Sequence, residues 1–133
     1  MRLAATIVAL VVAGGASAAD QGFLFDLLQQ KTFRAGWDKL MKSVDPTPDW
    51  LTEFNKNFDG VSGAVETVTV DGKAYDESFV CKPQDCSGHR FAVIFEPNGA
   101  RAYGALGGKG GAPAFFGDPP QSLQDALAKI VGG

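Results

Sequence analysis

The spacing of apolar and polar positions changes period twice along the chain. From Asp20 to Gln30, Phe23, Leu24, Leu27 and Leu28 recur at helical spacing. Phe33, Trp37, Leu40 and Met41 repeat that pattern in the next segment, for which Thr32 is the expected N-cap. Asp45-Pro46-Thr47-Pro48 interrupts it. Thr47 then reads as the N-cap of a third, short helix, with Pro48 at its first position and Asp49 as a first-turn acid. Trp50, Leu51 and Phe54 form its apolar face, and at this spacing the aromatics read as core residues.

After residue 64 the period drops to two. Val65 to Val70 reads Val-Glu-Thr-Val-Thr-Val, rich in β-branched residues, and Asp71-Gly72 follows as a two-residue hairpin signal. Ala74 to Cys81 returns with Tyr75, Phe79 and Cys81 in alternate positions. Arg90 to Glu96 puts Phe91, Val93 and Phe95 on one face and Ala92 and Ile94 on the other. A strand apolar on both faces belongs in the middle of a sheet. Pro97-Asn98-Gly99 makes a further turn into Arg101 to Leu106, and Ala112 to Phe116 is a candidate fifth strand. Beyond Pro119-Pro120, Ser122 followed by Asp125 resembles a capping box. Leu123, Ala126, Leu127 and Ile130 give the last helix an apolar face, with Gly132 and Gly133 fraying behind it. The expected fold is α+β: an antiparallel meander of about five strands packed against helices on one face.

The first residues are of another kind. Met1-Arg2 is a short positive segment, Leu3 to Val12 is apolar without a charge, and Ala16-Ser17-Ala18 fits an A-x-A cleavage site. The apolar run falls short of the roughly 20 residues that span a bilayer. Residues 1–18 are therefore expected to be a secretory signal peptide, and residues 19–133 a single domain of the cell envelope. No membrane association is expected after cleavage.

Charge and chemistry narrow the function. Twelve basic and fifteen acidic residues give a formal net charge of −3, and loss of Arg2 makes it one unit more negative. Nucleic acid calls for a basic stripe, so it is not an expected partner, whereas a basic protein is compatible. Gly107-Gly108-Lys109-Gly110-Gly111 is not a phosphate-binding loop, because Ser or Thr does not follow Lys109; it reads as a surface loop. His89 is the single histidine, no G-x-S-x-G is present, and two cysteines with one histidine are too few for a closed structural zinc site. Neither an enzyme, a cofactor nor a metal is expected, although fifteen acids leave many possible carboxylate pairs.

Cys81 and Cys86 are the two cysteines, and in an exported protein they are expected to pair. Such a ring holds only Lys82, Pro83, Gln84 and Asp85 between them. The chain-entropy gain of so small a ring is about 2 kcal/mol, which leaves two readings open. The bridge either staples a strand end or fixes the shape of a protruding loop for binding.

The loop Cys81-Lys82-Pro83-Gln84-Asp85-Cys86 resembles the C-K-P-H-D-C signature of the Ivy family, inhibitors of C-type lysozyme. The export-like start, the early helix pair, Trp50 shortly after a proline, the Val65–Val70 strand with its Asp71-Gly72 turn, and Arg90-Phe91-Ala92-Val93 after the second cysteine agree with it. The resemblance is best from Thr32 to Leu106. It implies an antiparallel sheet packed against helices and a Gram-negative periplasmic location. It further implies a disulfide-closed loop that enters the lysozyme active-site cleft, where the loop histidine meets the catalytic carboxylates. The family shields peptidoglycan, control of the cell's own lytic transglycosylases is a further proposed role, and some members are homodimers. The residues implied to contact the muramidase are Lys82, Pro83, Gln84 and Asp85, with Cys81 and Cys86 holding them. This chain departs from the signature at Gln84, which cannot become cationic as histidine can. The alternative is an Ivy-fold envelope protein with weak or no lysozyme inhibition, directed at a lytic transglycosylase or a glycan fragment. Whether His89 substitutes for the missing histidine is open at this level.

Overall fold

The structure is a computed structural model, in which residues 22–108 and 110–132 are described. The expected signal peptide, the start of the first helix, Lys109 and Gly133 lie outside the described residues. The elements run α1 (Leu24–Leu27), α2 (Lys31–Ser43), α3 (Asp49–Asn57), β1 (Val61–Ser62), β2 (Glu66–Val70), β3 (Lys73–Lys82), β4 (Asp85–Phe95), β5 (Ala102–Gly107), β6 (Ala114–Phe116) and α4 (Gln121–Gly132).

The sheet is antiparallel and six-stranded, ordered β1-β3-β4-β5-β6, with β2 also pairing β3. The Asp71-Gly72 turn forms as its sequence predicts: both residues have positive φ, 52° and 79°, and Val70 pairs Lys73 across them. That combination suits the twist of a two-residue hairpin. β1 was not legible as a strand. It is continuous in space with β2 along one edge of β3, and the two are separated where Ser78 Oγ donates to the Gly63 carbonyl at 2.9 Å.

The two-faced reading of β4 holds. Phe91, Val93 and Phe95 are fully buried against α1, α2 and α3, in a cluster with Leu27, Phe33, Trp37, Leu51 and Phe54. The edge-on contacts Trp37–Phe91 and Phe33–Phe95, at 5.7 and 5.3 Å, are of the geometry that aromatic quadrupoles favour. Ala92 and Ile94 point the other way, with Tyr103 and Ala105, onto Leu123, Leu127 and Val131 of α4. The fold is thus α+β as expected, but its helices cover both faces of the sheet instead of one. The apolar backs of β4 and β5 require that second layer.

Helix starts shift by a residue or two from their expected places. α1 is a single turn because Phe23 is extended and bridges Ala64, while the Gln29 and Gln30 amides tighten onto the Asp26 and Leu27 carbonyls. Gln30, not Thr32, is the N-cap of α2. Pro48, not Thr47, is the N-cap of α3, since the Thr47 hydroxyl donates back to the Val44 carbonyl at 2.6 Å. α4 starts at Gln121, so Ser122 lies inside it and the expected capping box is absent; Asp125 instead accepts from the Gln121 side chain at 2.9 Å. Met41 and Trp50 are only partly buried against the core they were expected to fill.

Candidate interaction loop

The two longest strands, β3 and β4, share the tightest part of the sheet and run out of it together at one end. Cys81 and Cys86 are disulfide-bonded there, with Cα atoms 4.8 Å apart. Of the four residues between them, Lys82 and Asp85 pair as the last rung of the ladder, leaving Pro83-Gln84 as a two-residue turn. Gln84 has φ of 67°. Proline followed by a left-handed residue is the order of a type II turn, in which proline sets the first corner and the second needs positive φ. The order places an ordinary side chain where glycine is preferred, so Gln84 is held at the apex at a small backbone cost. Lys82, Pro83 and Gln84 are exposed, Asp85 is half-buried and Cys81 is buried. The bridge therefore joins a buried anchor to an exposed tip.

The base of the tip is built on the β4 side. Register moves directly from the pair Cys81 and Arg90 to the pair Lys82 and Asp85, so residues 86–89 bulge out of the ladder. The bulge is tied back by His89, whose Nδ1 lies 2.9 Å from Asp85 Oδ2. Both side chains are about half exposed, so this contact orders the loop more than it stabilises the fold. Behind the bulge the backbones of Gly88 and Gly108 meet so closely that a Cβ at Gly108 would stand 2.0 Å from the Gly88 carbonyl oxygen. The start of the glycine-rich segment is thus a close backbone contact, beyond a loose surface connection.

Arg90 links this base to the second layer. Its guanidinium lies 4.4 Å from the Phe79 ring centroid, donates to the Ile130 carbonyl at 2.9 Å and approaches Cys86 Sγ at 3.5 Å. The Ile130 carbonyl is one of the last-turn acceptors that a helix cannot satisfy itself, and a cation there also meets the helix dipole favourably. Sequence reading passed over Arg90; the signal was a charged residue at the head of an otherwise apolar central strand.

Lys82 and Pro83 also form one wall of a groove of about 490 Å³ between the loop, α3 and β1. Trp50 and Val61 line its other sides, and Asp49, Glu53 and Asp59 are among the acidic residues around it. Sequence spacing placed Trp50 in the core and gave no hint of this groove. A larger groove of about 610 Å³ lies between α4 and the β2–β3 hairpin, where Glu66 and Glu77 pair directly across the strands. Burial, and secondly the facing Glu66 carboxylate, raise the pKa of Glu77.

His89 meets Asp85, and both cysteines are held in the disulfide. Among the described residues no group of three or more His, Cys, Asp and Glu is placed to hold a metal ion. None of the described helices is long and apolar enough to cross a membrane. What the loop can do is present a fixed amide and a proline at the end of a stiff stem.

Comparison with known proteins gives the same stretch a family. A family model described as inhibitor of vertebrate lysozyme (Ivy) matches residues 32–133. A Pseudomonas aeruginosa protein named inhibitor of vertebrate lysozyme is 27% identical over 127 residues, covering 86% of this chain and 80% of that protein. The Escherichia coli K12 protein of the same name is 29% identical over 90 residues, covering 68% of this chain and 54% of its own length. An uncharacterized Yersinia pestis protein is 32% identical over 79 residues, 59% of this chain and 49% of its own. The matched part thus spans about half the length of these last two relatives.

Proposed function

The chain belongs to the Ivy family of lysozyme inhibitors, and from that premise we propose that it inhibits C-type lysozyme by inserting the Cys81–Cys86 loop into the enzyme's active-site cleft. The observation that carries the reading is the tip itself: Pro83 and Gln84 form a two-residue turn at the end of the central hairpin, with the disulfide directly behind it. A tip already held in one shape loses little ordering entropy on docking. Gln84 is the probe that would reach the catalytic carboxylates. Pro83 and the bridge hold its shape, and Lys82 and Asp85 flank it. The net negative charge would speed encounter with a basic lysozyme.

The apolar start with its A-x-A site supports export through a signal peptide. The proposed location is the periplasm, where the protein would protect peptidoglycan and where a disulfide persists. The names of the relatives point to an inhibitor, and no enzymatic role is proposed.

Gln84 favours a second reading. A protonated histidine gains a charge-assisted bond to a carboxylate, whereas the neutral amide gives up about 1–2 kcal/mol of that. The loss corresponds to roughly a five- to thirtyfold weakening. A cleft that prefers an amide, such as that of a lytic transglycosylase or a glycan-bound site, would then be the true target. A homodimer, as the family resemblance implies for some members, is compatible with either reading and is decided by mass in solution.

The test is inhibition of a C-type lysozyme on bacterial cell walls by the mature protein, with and without reductant. Inhibition that reductant removes, while circular dichroism stays native, supports the clamped loop. Absence of inhibition at micromolar protein refutes the first reading and directs the search to other muramidases.

A further inference from the structure

The groove beside the loop has three features that belong together. Lys82 and Pro83 are at once part of the loop and part of the groove wall, so a partner that takes in the loop must lie across the groove mouth. The floor and sides are largely apolar, with Trp50 half-buried and Val61 45% exposed. At the rim, the carboxylates of Asp49 from α3 and Asp59 from the turn before β1 make no ion pair and accept no hydrogen bond among the described residues, whereas the Glu53 carboxylate is bonded to Lys56 at 2.9 Å.

We infer that this groove is a second contact for the partner that receives the loop, and that it holds a lysine or arginine side chain from the rim of that partner's cleft. Long cations lay their methylene stems on apolar surface and keep their heads toward anions, and the groove offers both, Trp50 and Val61 for the stem and Asp49 and Asp59 for the head. An anionic partner is disfavoured by the same two carboxylates. The inference rests on the lysozyme-inhibitor reading and adds to it a contact outside the loop.

The experiment compares wild-type protein, an Asp49→Asn/Asp59→Asn double variant and Gln84→Ala in lysozyme inhibition and in dissociation rate, at low and moderate salt. Both carboxylates are exposed, but Asp49 is the first-turn acid of α3, so the double variant is expected to melt within a few degrees of wild type. The groove contact predicts a five- to tenfold weaker inhibition for it, faster dissociation and a flatter salt dependence. Inhibition within twofold of wild type overturns the groove and leaves the loop standing if Gln84→Ala is impaired. A wild-type protein that does not inhibit at all overturns both. Wild-type binding of a chitin oligosaccharide that the double variant loses would overturn the cation contact in favour of a sugar site.

Discussion

The Arg90 guanidinium donates to the Ile130 carbonyl at 2.9 Å, which joins the strand leaving the disulfide loop to the last turn of the C-terminal helix. The same side chain stacks over Phe79. Replacing Arg90 with Met keeps the stem and removes the donors and the charge. The expected loss is about 1–2 kcal/mol in a urea titration, from one charged hydrogen bond and one cation–π contact. Amide exchange should quicken in the final turn of α4 before it does in β4; equal protection throughout would show that Arg90 does not hold the helix end.

Gln84→His is expected to strengthen lysozyme inhibition roughly five- to thirtyfold if the loop enters a carboxylate-lined cleft. The fold should tolerate it, since histidine accepts positive φ at least as well as glutamine. Unchanged inhibition constants would place the target elsewhere.

Cys81→Ser/Cys86→Ser should cost about 2 kcal/mol by the entropy of so short a ring, and lose disproportionately more inhibition than stability. Chemical denaturation and inhibition measured on the same preparation separate the two. Proportionate losses would make the bridge a simple staple.

Glu77 faces Glu66 across β2 and β3, and its pKa is raised, by burial first and the facing charge second. Its folded form holds the proton more tightly than the unfolded chain. The resulting stabilisation is present below the usual carboxylate pKa and is lost as pH rises through the raised value. Glu77→Gln removes that loss, so it should be more stable than wild type at pH 7 by about 0.5 kcal/mol, the scale of a like-charge cross-strand pair. The advantage should shrink toward pH 4 in thermal melts. A variant less stable than wild type at pH 7 would contradict the reading of the pair as repulsive.

Tyr103 donates to Glu96 Oε2 at 2.5 Å, with Lys73 on the other carboxylate oxygen at 3.3 Å. Burial chiefly, then this bond, pushes the tyrosine up to about 12, while the bond chiefly lowers Glu96. Tyr103 therefore contributes stability that is complete below pH 10 and is lost between pH 10 and about 12. Glu96 contributes stability present above the ordinary glutamate range and lost as pH falls through its lowered value. The stability gap between wild type and Tyr103→Phe should be flat in the middle range and close at both ends. A gap independent of pH would mean that packing, not the hydrogen bond, sets it.

The sheet was the most legible part of the chain because local signals and packing agree there. Asp71-Gly72 dictates its turn whatever surrounds it, and the alternation of Phe91, Val93 and Phe95 with Ala92 and Ile94 fixed β4 as a central strand. The helix caps were less legible. Thr32, Thr47 and Ser122 each had the right side chain, but Gln30, Pro48 and Pro120 supplied the first helical carbonyl instead. Nothing local marks β1, which is two residues long and exists because β3 offers Val61 and Ser62 an edge. The loop residues were visible as a ring of six in sequence. The bulge at 86–89, the Gly88–Gly108 contact and the groove at Trp50 depend on chain segments far apart in sequence, and no periodicity reports them.

The buried end of the disulfide lies at Cys81, and the turn it braces points away from both core clusters. Neither hydrophobic layer draws on Lys82, Pro83 or Gln84. If the loop is the proposed contact, substitutions at these positions would alter the target with little change in core packing. The scaffold thus keeps its folding apart from the loop tip, and under the proposed function an arms race with a changing enzyme would be fought at three positions.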